Sequence, residues 1–193
     1  MGTTNLFVEL VVIGAGVMIW LLLLVFTIVG RPPLAISEAM LLASAIPLLA
    51  ITYVAGIIWD RIVDVLFEKL WVDRWRPRFF ATKTDYYNAR RAILTKSERL
   101  SELIEYGRSR MRICRAWTLN ALLITVSGVA FLFSDHRNEP EFALKVWAVI
   151  LIGTAFSVGA WFAWASLVKT EYRKIKDQSQ YLNMPQENLG EPK

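Results

Sequence analysis

The sequence predicts an all-α membrane protein with four transmembrane helices, and three observations carry that prediction. Four runs, Leu10–Val29, Ala39–Trp59, Ala116–Phe133 and Val146–Val168, contain no Asp, Glu, Lys or Arg, and each is long enough to cross a ~30 Å hydrocarbon core as a helix. Hydrophobic residues make up 55% of the chain and the mean hydropathy is +0.38, which leaves little polar surface for a soluble fold. The basic residues are segregated: of 22 Lys and Arg, 14 lie between Asp60 and Arg115 and five follow the fourth run from Lys169 onward.

Residues 1–193 read as a single polytopic membrane domain with spans at about 8–30, 37–59, 116–134 and 143–168. The first run competes with a signal peptide. It has no Lys or Arg before it, is long for a signal core, and ends at Gly30-Arg31-Pro32-Pro33 without a small-x-small site, so it reads as a retained span. Span two starts behind the helix-stopping Pro32-Pro33 with Ser37 as N-cap, and Pro47 is expected to kink it. Spans three and four are joined by a polar turn, Ser134 to Lys145, containing Pro140. Trp59, Trp117 and Trp164 sit near one membrane boundary and Trp147 near the other, as interfacial aromatics do. The positive-inside rule puts the segment 60–115 and both termini in the cytoplasm, in a plasma or inner membrane.

Segment 60–115 is the largest part outside the spans and is expected to extend spans two and three into a cytoplasmic antiparallel helical hairpin. Apolar residues Ile62, Val63, Leu66, Phe67 and Leu70 continue a helical face past Trp59, while Asp60, Asp64 and Glu68 recur at four-residue spacing on another. A break is expected at Trp75-Arg76-Pro77-Arg78, and a second helix near Asp85 that merges with span three. Arg108, Arg112 and Arg115 share a face of that helix. An antiparallel hairpin then sets Asp60 against Arg115, Asp64 against Arg112 and Glu68 against Arg108, a structural charge seam.

The competing reading of the same cations is recognition of anionic lipid or a partner protein. Arg108, Arg110, Arg112 and Arg115, with Arg90 and Arg91 upstream, form a juxtamembrane basic cluster, each residue worth ~1 kcal/mol near an anionic surface. Arg76, Arg78 and Lys83 alternate with Trp75, Phe79 and Phe80 in a basic-aromatic patch suited to a membrane or protein surface. Nucleic acid is not expected, because topology already accounts for the net charge of +5.

Within the spans, Gly14 and Gly16, Ser127-Gly128, and Ala155, Gly159 and Ala163 mark faces where helices approach closely. The last ridge is expected to pack inside the bundle or against a second copy. Asn120 is expected to hydrogen-bond between helices, and Glu9 reads as a helix-end charge.

Catalytic signatures are lacking. Cys114 and His136 are the only residues of their kinds, so no intrachain disulfide or His-rich metal site is available, and no cofactor is expected. Gly14-Ala15-Gly16 is followed by Ile19 rather than a third glycine, and it lies within a span. The one enzymatic alternative is a lipid-modifying site built from the acidic and arginine rows. The expected function is therefore a non-enzymatic membrane scaffold or sensor subunit whose hairpin docks a cytosolic protein or anionic lipid. The alternative is a small homo-oligomeric ion channel or membrane-perturbing effector, built on the Ala155, Gly159, Ala163 ridge. Residues 177–193 read as a flexible cytoplasmic tail.

Overall fold

The computed structural model describes residues 3–30, 38–96, 98–135 and 140–183, and every regular element among them is helical. α1 (Thr3–Val29) and α2 (Glu38–Phe67) come first. α2 runs on through a π-helical stretch, Glu68–Val72, one turn of α3 (Asp73–Trp75) and a 3₁₀ turn, Arg76–Arg78. α4 (Lys83–Lys96), α5 (Glu98–Asp135) and α6 (Phe142–Asn183) complete the fold. Four helical stretches, within Asn5–Val29, Ala43–Arg78, Glu102–Ser134 and Phe142–Tyr181, are long and apolar enough to cross a membrane. Arg31, Pro32-Pro33, Ser37, His136 and Arg137 lie outside the described residues.

Local chemistry sets the helix ends. Gly30 closes α1 at φ 82°, a conformation that costs glycine little, and its N–H reaches the Phe26 carbonyl at 3.1 Å. α4 begins with a reciprocal cap: the Asp85 N–H donates to Thr82 Oγ1 at 3.1 Å and the Thr82 N–H to Asp85 Oδ2 at 3.0 Å. Pro77 enters the 3₁₀ turn where its missing N–H leaves no partner unmet.

In the apolar part of the molecule α1 lies between α2 and α5, and α5 between α1 and α6. Glycine allows the backbones of α1 and α2 to touch. A Cβ on Gly14 would lie 1.8 Å from the Thr52 carbonyl oxygen, and one on Gly56 would lie 2.0 Å from that of Leu10. Fully buried Asn120 on α5 donates its Nδ2–H to the Ile13 carbonyl at 3.0 Å and packs against Gly16, which fixes α1 against α5. α5 and α6 are antiparallel: Phe133 meets Phe142 at 4.9 Å, Thr125 fills the space over Gly153, and Ser157 Oγ–H donates to the Thr118 carbonyl at 2.8 Å.

Of the Ala155, Gly159, Ala163 ridge, expected to pack inside the bundle or against a second copy, the first two residues face away from the bundle and Ala163 is half-buried. A Cβ on Gly159 would meet no atom within 4 Å, and Ala155 and Gly159 are exposed. α6 instead faces α5 through Gly153 and Ser157, and an offset of two residues turns the ridge by about 200° around the helix axis. Beside it, Ile113, Cys114, Trp117, Phe156 and Ala160 form an apolar groove of about 480 Å³.

At the end of the charge-free runs and beyond it the helices meet again in a second core, made of Val63 and Phe67 from α2, Phe80, Ile93 from α4, Ile104 from α5, and Trp164, Ala165, Val168, Tyr172 and Ile175 from α6. Trp164 is its pivot: Phe67 meets it edge-on at 4.6 Å, Trp75 stacks on it at 5.4 Å and Trp71 lies at 6.0 Å. α6 therefore supplies half of a layer expected from α2 and α5 alone. Of the segment expected to be a flexible tail, 177–183 continue α6, and 184–193 lie outside the described residues.

Gly14→Val is expected to force α1 and α2 apart and lower stability by about 3 kcal/mol or more. Gly159→Ala meets no atom and should instead raise stability by about 0.5–1 kcal/mol, both read from thermal unfolding of the purified chain.

Candidate functional site

A cavity of about 470 Å³ opens where the apolar spans give way to the charged layer. α1 contributes Leu6 and Leu10; α2 contributes Ile57, Asp60, Arg61 and Asp64; α4 contributes Tyr86, Tyr87 and Arg90. Arg108, Met111, Arg112 and Arg115 enter from α5, Trp164, Val168, Glu171 and Tyr172 from α6, and Glu68, Val72 and Arg76 from the chain between α2 and α4.

One wall is a lattice of ion pairs. Arg115 donates through Nη2 to Asp60 Oδ1 at 2.9 Å and through Nη1 to Asp64 Oδ1. Arg112 donates through Nη1 to Glu9 Oε2 at 3.2 Å, and its Nε lies 3.8 Å from Asp60 Oδ2. Glu9 and Asp60 are both buried, so each depends on these guanidiniums to offset the loss of water. The pairing thus joins α1, α2 and α5 at one depth.

The expected register holds for Asp60 with Arg115 but not for the other two pairs. Asp64 turns to Arg115 because Glu9 of α1 takes Arg112. Glu68 pairs with Arg76 and Lys83, each at 3.5 Å, rather than with Arg108. The helix changes to π geometry from Glu68 and ends in the 3₁₀ turn at Arg76–Arg78, and Arg76 and Lys83 from this following chain take Glu68.

The structure divides the nine sequence-predicted cations. Arg76, Arg90, Arg108, Arg112 and Arg115 line the cavity, whereas Arg78, Lys83, Arg91 and Arg110 are exposed outside it. Arg76 is buried rather than displayed: it pairs with Asp73 at 3.2 Å and lies 5.8 Å from the Tyr86 ring centroid. Arg110 lies over Tyr106 at 5.7 Å. Among the described residues, Arg61, Arg90 and Arg108 have no carboxylate within ion-pair distance.

Sequence reasoning missed Glu171 and Tyr172, which stand just past the apolar run that ends at Val168. Glu171 Oε2 is buried without a hydrogen-bond partner. Burial raises this carboxyl to about 6, against the opposing pull of Arg108 and Arg90. Burial, then the nearby Tyr86 hydroxyl, pushes Tyr172 up to about 12, so it stays neutral. The signal was present in the spacing: Trp164, Val168, Tyr172 and Ile175 continue one helical stripe across the span boundary.

Chemically, the cavity offers guanidinium donors, tyrosine hydroxyls and, at Glu171, a buried carboxylate oxygen without a hydrogen-bond partner, between an apolar wall and a charged one. Among the described residues no three His, Cys, Asp or Glu side chains cluster closely enough to hold a metal ion. The acidic row is engaged with cations: Asp60 and Asp64 with arginines, Glu68 with Arg76 and Lys83.

Arg115→Ala leaves Asp60 buried beside one distant guanidinium and is expected to cost about 3 kcal/mol of stability, partly restored by adding Asp60→Asn. Arg110→Ala serves as the surface control in the same unfolding assay. Glu171 has a raised folded pKa, so the folded state holds its proton more tightly than the unfolded chain and stability rises as pH falls through about 6. Glu171→Gln should therefore stabilise the protein by about 2 kcal/mol at pH 7.5, and the gain should shrink as pH falls through about 6 and vanish only below the unfolded value of 4.5. No family model, curated protein sequence or solved structure matches this chain.

Proposed function

We propose that the chain is a non-enzymatic integral membrane scaffold or sensor subunit, whose cytoplasmic helical layer receives an anionic group from a membrane lipid or a cytosolic protein. The observation that carries this reading is the cavity itself, in which three arginines lie without an ion-pair partner at the end of the apolar spans. Insertion as four spans is supported by the outward faces: Ile28, Ile46, Leu151, Ile152 and Phe162 are among many large apolar side chains left exposed. The orientation, with both termini and the extensions of α2 and α5 in the cytoplasm, follows from the distribution of Lys and Arg. In this reading the hairpin of α2 and α5 is braced by α4 and α6.

A second reading, a homo-oligomer that forms an ion-conducting path or perturbs the membrane, is favoured by the open Ala155, Gly159, Ala163 ridge. Small residues without a neighbour in the same chain are suited to close contact with another helix.

Two measurements test these readings. In a Cys114→Ser background, Glu141→Cys should react with a membrane-impermeant thiol reagent in intact cells and Asp177→Cys only after permeabilisation; the reverse pattern rejects the orientation. The mass of the gently solubilised, C-terminally tagged complex separates the rest. A heteromeric assembly supports the scaffold, a homo-oligomer that Gly159→Leu dissociates supports the second reading, and a lone monomer without bound lipid opposes both.

A further inference from the structure

The cavity changes character with depth. Leu6, Leu10 and Ile57 form its wall on the side of the spans, and Arg61, Arg90 and Arg108 line the charged side. Its lining holds six guanidiniums against four carboxylates. The ion-pair lattice uses Arg112 and Arg115, and Arg76 is held by Glu68 and Asp73. The excess positive charge therefore falls on Arg61, Arg90 and Arg108. Arg90 is half-buried and its Nε is a buried donor without an acceptor. Across from it, Glu171 Oε2 is a buried acceptor without a donor. Buried, unmatched polar atoms of opposite kinds in one cavity are a costly arrangement that a ligand relieves.

A phosphate group satisfies the donor side, since guanidinium matches its geometry with paired N–H···O bonds. A free phosphate would leave the apolar wall bare, whereas an amphiphile uses both. Resting on the membrane reading above, we propose that the cavity binds the phosphodiester headgroup of an anionic phospholipid. Arg90 and Arg108 hold the phosphate, an acyl chain lies against Leu6, Leu10 and Ile57, and Glu171 makes binding depend on pH.

The pH dependence follows from charge. Glu171 of α6 is faced by Tyr86 and Arg90 of α4, Arg108 of α5, Tyr172 of its own helix and Arg76 of the 3₁₀ turn. Ionised, it competes with the phosphate for the same two arginines; protonated, it leaves both to the ligand and offers a donor. Ligand and proton therefore favour each other's binding. A phosphodiester keeps its single charge across this range, so the titration belongs to the protein.

The test uses the full chain in neutral detergent, titrated with phosphatidylglycerol and read by native mass spectrometry at pH 7.5 and 5.5. One saturable lipid adduct is expected, bound about tenfold more weakly by Arg90→Gln and Arg108→Gln and less than about twofold more weakly by the exposed controls Arg91→Gln and Arg110→Gln. The wild type should bind about five- to tenfold more tightly at pH 5.5, and Glu171→Gln should show that tighter binding at both pH values. Glu171→Gln removes a buried charge, so it keeps the proposal testable where the arginine variants fail to fold. Glycerophosphoglycerol, the same headgroup without acyl chains, should compete about 100-fold more weakly. Equal affinity for this soluble headgroup would assign the site to water-soluble phosphodiesters and overturn the lipid assignment. Equal losses in the control arginines, or a folded Glu171→Gln with unchanged affinity and pH profile, would also overturn it. Release of the chain from membranes by alkaline carbonate would reject the membrane reading; an integral, folded chain with no saturable adduct would reject this inference alone.

Discussion

Arg115 clamped between Asp60 and Asp64, with Arg112 reaching from Asp60 to Glu9, is the constraint on which the arrangement of the other elements rests. These five side chains come from three helices. A buried carboxylate tolerates only a small displacement of its guanidinium before it must be rehydrated or protonated, so the pairs hold α1, α2 and α5 at a common depth far more strictly than sliding apolar contacts would. Asn120, bonded to the Ile13 carbonyl further along α1, supplies a second fixed point, and two fixed points prevent α1 from shifting along α5.

With that depth fixed, the remaining chain has one geometric problem: α2 touches α6 at its last residue, Phe67 against Trp164, and the chain that follows must stay against α6 to cover the charged layer. The π stretch at Glu68–Val72 and the tryptophans around it solve it together. The widened turn redirects the chain, and Phe67, Trp71 and Trp75 meet Trp164 across the gap. Large aromatic rings fill this space with few rotatable bonds, so the ordering entropy is modest for the area they bury. The cavity is what remains between this aromatic brace and the ion-pair lattice.

How much of this was legible depended on whether the information was local. Helix-length apolar runs and the partnership of Asp60 with Arg115 could be read because each follows from periodicity along one or two adjoining helices. The Glu9 to Arg112 pair could not, since it requires knowing that α1 and α5 are neighbours. The displaced Asp64 is its direct result. Glu68 was misplaced because Arg76 and Lys83, from the chain after the helix, reach it, and a two-helix register does not include them. The small-residue ridge was correctly seen as a face, but spacing alone does not say which face of α6 meets α5. Glu171 was overlooked for another reason: Lys169, Arg173, Lys174 and Lys176 dominate the local composition and hide the apolar stripe that carries α6 onward.

That continuation has a mechanical side. α6 is 42 residues without a break, which at 1.5 Å per residue is a rod of ~63 Å. It meets α5 at Gly153, where Thr125 occupies the space a side chain would need, and Ser157 holds the Thr118 carbonyl one turn further on. The arm from there to Asn183 is ~45 Å long and is buried at Trp164, Val168, Tyr172 and Ile175. One rod thus ties the apolar helices to the charged layer, so neither can shift along α6 without the other.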